Sequence, residues 1–156
     1  MTKSYAWLKK TLDVVLLEKG RIHEEQLNDI RRVRAAEGGG WACHFVDAGL
    51  VTENELMQLV LADTGLPYFP LLNLKPQQEL LDDFTRDFLI TFECFPIDKL
   101  GPVCTIATPN PYQKDLVLSR QSHIQDVELY VCRVSEWREC IQRLDELLAS
   151  AVGEEV

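Results

Sequence analysis

Apolar residues recur with a helical period over the first third of the chain. Positions 12, 15 and 16, and again 45, 46 and 48, fit the buried stripe of short amphipathic helices. Each stretch runs into a glycine, Gly20 or Gly49, at the point where a helix C-terminus favours a left-handed backbone. A second helix is expected after each turn. Thr52 followed by Glu55 is a capping box for one of them, and His23-Glu24-Glu25 supplies acidic residues to the first turn of the other. Glu37-Gly38-Gly39-Gly40 ends the helix that runs through Arg31, Arg32 and Arg34, and it separates the two hairpins.

The two hairpins are copies of one pattern. A shift of 29 residues lays TLDVVLLEKGRIHEEQLNDI (11–30) on GWACHFVDAGLVTENELMQL (40–59). Both copies carry an acid two before the glycine (Glu18, Asp47) and an apolar residue two after it (Ile22, Val51). A leucine follows five residues later, Leu27 or Leu56. The reading is a four-helix unit of two tandem hairpins over residues 1–66.

After Gly65-Leu66-Pro67 the pattern changes. PYFPLLNLKP is proline-rich and reads as an extended linker over 67–76. Leu80 to Leu89 has helical spacing. FECFPI (92–97), a DKLGP turn and VCTIAT (103–108) predict a β-hairpin, and DVELYVC (126–132) predicts a further strand. A short helix is expected over 111–120, and Ser135 is expected to cap a final amphipathic helix bearing Trp137, Ile141, Leu144 and Leu148. The fold class is α+β: the helical unit, then a small α/β sandwich-like unit with a three-stranded sheet over 77–150, and a tail at 151–156.

Charge is unevenly distributed along the 156 residues. The formal net charge is −9, made up of +2 over residues 1–40 and −11 over 41–156. Such acidity repels phosphate backbones, which argues against nucleic acid as a partner. No apolar run approaches the ~18–20 residues of a membrane span, so direct membrane insertion is not expected. Lys9 and Lys10 interrupt the first apolar stretch and no small-residue cleavage site follows, so no signal peptide is expected. The five cysteines, Cys43, Cys94, Cys104, Cys132 and Cys140, include no CxxC pair and read as reduced core residues of a cytoplasmic protein.

Candidate chemistry is sparse. His23, His44 and His123 lie far apart, and none stands at ligand spacing from a cysteine or carboxylate, so no metal site is expected. Cys43 and His44 are adjacent and would point about 100° apart on a helix. Asp82-Asp83 and Glu24-Glu25 fit helix starts and solvated faces. No GxxxxGK[ST] occurs, and no catalytic residues are assigned. Arg31, Arg32 and Arg34, with Arg21 near them, form the one basic cluster; it reads as a solvated helix face or as a patch for an anionic partner. Trp7 and Trp41 are candidate core or anchor residues.

These landmarks together resemble the N-terminal domain of bacterial secretion and pilus-assembly ATPases, the GspE/PilB/MshE class. That domain is called MshEN when it binds cyclic di-GMP. Its members carry two tandem motifs, RLGxxLVxxGxLxxxxLxxALxxQ, with a five-residue spacer. Here the copies would run from Thr11 to Arg34 and from Gly40 to Asp63, with Ala35 to Gly39 between them. TGLPYFPL resembles the family's GLPFVDL, and Ala107-Thr108-Pro109 stands at an "ADP"-like turn. The resemblance covers roughly residues 5–148.

The departures from the motif carry the functional expectation. Thr11 and Gly40 replace the opening arginines, Asp13 and Ala42 replace a glycine, and Arg34 and Asp63 replace the closing glutamine. Trp41 replaces a leucine and is expected to fill the vacated groove. A diphosphate ligand calls for cationic forks and close backbone approach, whereas Asp13 would repel it. The resemblance then implies a non-catalytic regulatory or adaptor domain with its nucleotide site lost. It would dock to a protein partner of a secretion, pilus or motility apparatus. A divergent cyclic di-GMP sensor is the alternative, with Leu12, Leu16, Gly20, Arg31, Arg34, Trp41, Phe45 and Gly49 as the ligand-binding residues and Arg21 as a further candidate cation. A structural remnant without a partner of its own is the third. The oligomeric state is left open.

Overall fold

A computed structural model describes residues 9–75, 77–120 and 124–154. Trp7, His123 and the end of the 151–156 tail lie outside the described residues. The first helical hairpin pairs α1 (Leu12–Glu18) with α2 (Glu24–Glu37), and the second pairs α3 (Trp41–Asp47) with α4 (Glu53–Thr64). The two turns are built alike. Gly20 and Gly49 take φ of +70° and +74°. In the first, the Gly20 amide donates to Leu17 O and the Arg21 amide to Leu16 O; in the second, the Gly49 amide donates to Val46 O and the Leu50 amide to Phe45 O. The doubled pair of bonds is the Schellman pattern, which satisfies the last helical carbonyls and requires the left-handed residue. The Thr52 hydroxyl accepts from the Glu55 amide at 3.1 Å, the expected half of its capping box.

The second half comprises α5 (Gln78–Leu81), α6 (Arg86–Phe92), β1 (Phe95–Leu100), β2 (Val103–Thr108), α7 (Lys114–Arg120), β3 (Asp126–Val131) and α8 (Val134–Glu154). The sheet order is β1-β2-β3; β1 pairs antiparallel with β2, and β2 parallel with β3. Pro96 sits in β1, an edge strand, where a missing donor is tolerated. A register shift between Pro96 and Asp98 brings Phe95, Pro96 and Ile97 all inward. The α8 stripe of Trp137, Cys140, Ile141 and Leu144 closes the core, which is continuous with Leu12, Leu16, Phe45 and Val60 of the hairpins.

Three local expectations are corrected. The strand expected at 92–97 begins at Phe95, because α6 continues through Phe92 and Glu93 takes a left-handed conformation at φ 49°. The helical spacing from Leu80 to Leu89 is divided between α5 and α6, the latter restarted by Thr85, whose hydroxyl accepts from the Phe88 amide. Ser135 lies inside α8, which begins at Val134; the Glu136 carboxylate instead accepts from the Arg133 amide at 3.0 Å.

Residues 67–69 run along the free edge of β3. The Val131 amide donates to Pro67 O and the Phe69 amide to Val131 O, both at 2.9 Å. This covers backbone groups that an open edge would expose. Beyond it, Leu71 is fully buried in a 3₁₀ turn (Leu71–Asn73) packed against α8. Leu71→Ala is expected to lower unfolding free energy by about 2–5 kcal/mol, measured by urea denaturation; a loosely attached connector would show no loss.

Candidate functional site

The positions that the motif comparison singled out fall into three environments. Leu12, Leu16 and Phe45 are core residues, each no more than 1% exposed. Gly20 and Gly49 serve the two turns. Arg31, Arg34 and Trp41 lie at the surface, and their charges and faces are engaged within the chain. The Arg31 guanidinium stands 3.5 Å from the Asp13 carboxylate, a side chain only 11% exposed. Arg34 lies over the Trp41 ring, 4.6 Å from its centroid, and its Nε donates to Gly39 O at 3.1 Å. Trp41 stacks in turn on Phe45 at 5.7 Å and 16°. The structure therefore joins Arg34, Trp41 and Phe45 in one stack and places Arg31 in a separate pair. Arg21 is also paired, 3.7 Å from Glu55.

The residue that sequence reasoning missed is Glu93. It is completely buried, and its carboxylate accepts from the Ala42 amide at 3.0 Å and the Cys43 amide at 2.7 Å. These are first-turn amides of α3, so an acid from the second half caps a helix of the second repeat. Burial pushes the Glu93 carboxyl above its ordinary value of 4.5, against the opposing pull of its bonds to Cys43 and Ala42. A Cβ at position 40 would fall on that carboxylate, so Gly40 is required for space; its φ of −95° is ordinary. The one sequence signal was an acid set inside the apolar run Phe92 to Pro96.

A second carboxylate spans the halves in the opposite sense. Glu53, at the start of α4, accepts from the Ser135 amide and hydroxyl at 2.9 and 3.0 Å, at the N-terminus of α8. Arg133 donates to Asn54 and to the Tyr68 hydroxyl, which itself donates to Glu136. Arg138 of α8 donates to Asp47 of α3 at 2.6 Å.

Between these bridges lies a groove of about 360 Å³, walled by the Gly38–Gly40 backbone, α3, α6 and α8. Its apolar lining comes from Ile90, Trp137 and Ile141, with Glu37, His44 and Arg138 also at its walls. Because the Gly38 carbonyl can only accept, the His44 Nε2 atom 2.6 Å away carries the proton. Burial also pushes the Cys43 thiol well up, and Cys104 and Cys140 up to about 11, so none offers a thiolate near neutrality. Among the described residues no group of three or more His, Cys, Asp or Glu could hold a metal ion, and no helix is long and apolar enough to cross a membrane.

Tandem helical hairpins joined by acids to the helices that flank a small mixed sheet define a two-part α+β domain built on an internal repeat. The chain belongs to the MshEN domain family, whose model matches residues 64–151. The matched span is the second half, and both repeat copies lie outside it. No curated protein sequence matches the chain. Among solved structures it resembles MshE with cdg (cyclic di-GMP) at 16% identity and a TM-score of 0.52, over 86% of this chain and 99% of that one. It also resembles the N-terminal domain of XpsE in two crystal forms, at 21% and 22% identity with TM-scores of 0.56 and 0.58. Those alignments cover 92% of this chain and 99% and 98% of the other. At these identities the likeness establishes the fold.

Gly40→Ala is expected to destabilise the fold by about 1–3 kcal/mol through overpacking, read from the midpoint of chemical denaturation. Glu93 also makes stability depend on pH. Since its folded-state value is raised, its contribution is fully present below pH 4.5 and is lost as pH rises through the raised value. Denaturation midpoints for Glu93→Gln should therefore fall less than wild type's across that window, and parallel curves would refute the assignment.

Proposed function

We propose that this chain is a non-catalytic regulatory or adaptor domain that docks to a protein partner of a bacterial secretion, pilus or motility machine, without a working cyclic di-GMP site. The observation that carries this reading is that the candidate cations Arg31 and Arg34 are used within the chain. Asp13, standing where the motif has glycine, faces Arg31, and Trp41, standing where it has leucine, stacks under Arg34. An incoming phosphate would have to displace a carboxylate from one and a π-face from the other. The opening arginine of the second copy is replaced by Gly40, at a position where the Glu93 carboxylate leaves no room for a side chain. Membership of the MshEN family supports the regulatory role, and the acidity of residues 41–156 supports steering of a basic partner.

One observation favours the sensor reading. The Arg31 side chain is 53% exposed, and its contact with Asp13 is a long one at 3.5 Å. A ligand phosphate could take the place of Asp13 there.

Isothermal titration of the chain with cyclic di-GMP at low and moderate salt separates the two. The adaptor reading expects no binding tighter than about 100 μM, and Arg31→Ala and Arg34→Ala titrations that match the wild type. Micromolar binding that weakens with salt and is lost in Arg31→Ala would overturn it.

A further inference from the structure

We propose that the groove between α3, α6 and α8 is the place where the partner docks, and that it receives an aliphatic or aromatic side chain flanked by a lysine or arginine. This deepens the docking reading and rests on it. The cleft's volume of about 360 Å³ falls within the ~300–1,000 Å³ of small recognition sites. Its apolar lining is rigid. Trp137 is 4% exposed and its Nε1 donates to Cys94 O at 3.0 Å, while Ile141 beside it is 6% exposed. Ile90 contributes a partly exposed apolar wall. Water on such a surface is released when a hydrocarbon group enters. The opposite wall is the backbone of Gly38 to Gly40, and at Gly38, where a side chain would meet open space, another main chain can come close.

The rim charge specifies the neighbour of that side chain. The Arg138 charge is matched by Asp47 at 2.6 Å. Glu37 is exposed at the end of α2, and among the described residues no cation stands within ion-pair distance of it. The rim is therefore left with one unmatched negative charge, on a chain of net charge −9. An acidic segment would be repelled and a basic one attracted. The groove touches both halves of the domain, so an occupant bears on the contact between the second repeat and α8.

The test uses the whole chain and two capped tetrapeptides, Gly-Leu-Lys-Gly and Gly-Leu-Glu-Gly, followed by the indole N–H resonance of Trp137. The lysine peptide is expected to give a saturable shift that the glutamate peptide does not. Glu37→Lys, an exposed substitution, should weaken the lysine peptide about threefold and improve the glutamate peptide. Ile90→Trp, which fills the cleft, should abolish the shift while leaving the rest of the amide spectrum in place; if that variant fails to fold, the Glu37→Lys titrations still decide. A silent Trp137, with or without peptide binding elsewhere, overturns the groove; binding elsewhere leaves the docking reading standing on another face. Equal shifts from both peptides, unchanged in Glu37→Lys, overturn it in favour of a cleft that takes any small apolar molecule.

Discussion

The Glu93 carboxylate is the contact on which the arrangement of the two halves depends. A buried acid in apolar surroundings is costly unless its oxygens are satisfied, and here both are, by the Ala42 and Cys43 amides. Those amides would otherwise be orphaned at the start of a seven-residue helix that no local side chain caps. Each side thus supplies what the other lacks. The two bonds offset part of the cost of burying the acid, and removing one partner costs more because the other is left buried and bare. The consequences reach outward to Gly40, which must be glycine to leave room, and to Glu93 itself, held left-handed at the end of α6.

Glu53 repeats the device in the other direction by capping α8 from the helical repeats. Together with the Arg138–Asp47 pair and the Arg133, Tyr68 and Glu136 cluster, it ties α8 to the second hairpin. The exposed ion pairs add little stability by themselves. Their effect is on geometry, because they hold α8 against α3 and α4 beside the groove. A domain held this way has a line of polar contacts over an apolar core that runs through both halves.

The same economy explains the state of the repeats. In a receptor for a charged dinucleotide, cations and glycines must be left available for the ligand. In this chain Asp13 and Trp41 take up the two arginines, and the leucine-type positions 12, 16 and 45 are packed into the core. The repeat keeps what folding needs, the left-handed glycines and the apolar stripes.

The sequence by itself determined the local architecture. Helical periodicity and the two glycines gave the hairpins, because a Schellman turn needs a left-handed residue whatever surrounds it. Alternating runs likewise placed β2 and β3. Boundaries failed where a distant partner decided them: Phe92 joins α6 rather than a strand because Glu93 must turn to reach α3, and Ser135 enters α8 because Glu53 and Glu136 cap that helix instead. Arg31, Arg34 and Trp41 were legible as the residues to watch, since charge and size mark them. That Arg31 faces Asp13 and Arg34 covers Trp41 was not, because spacing along a chain does not say which side chains meet across a hairpin or between two hairpins. The Glu93 cap and the groove joining Glu37, Ile90 and Trp137 were hidden for the same reason. Their parts lie some 50 to 100 residues apart, and only the packing of the sheet against the repeats brings them together.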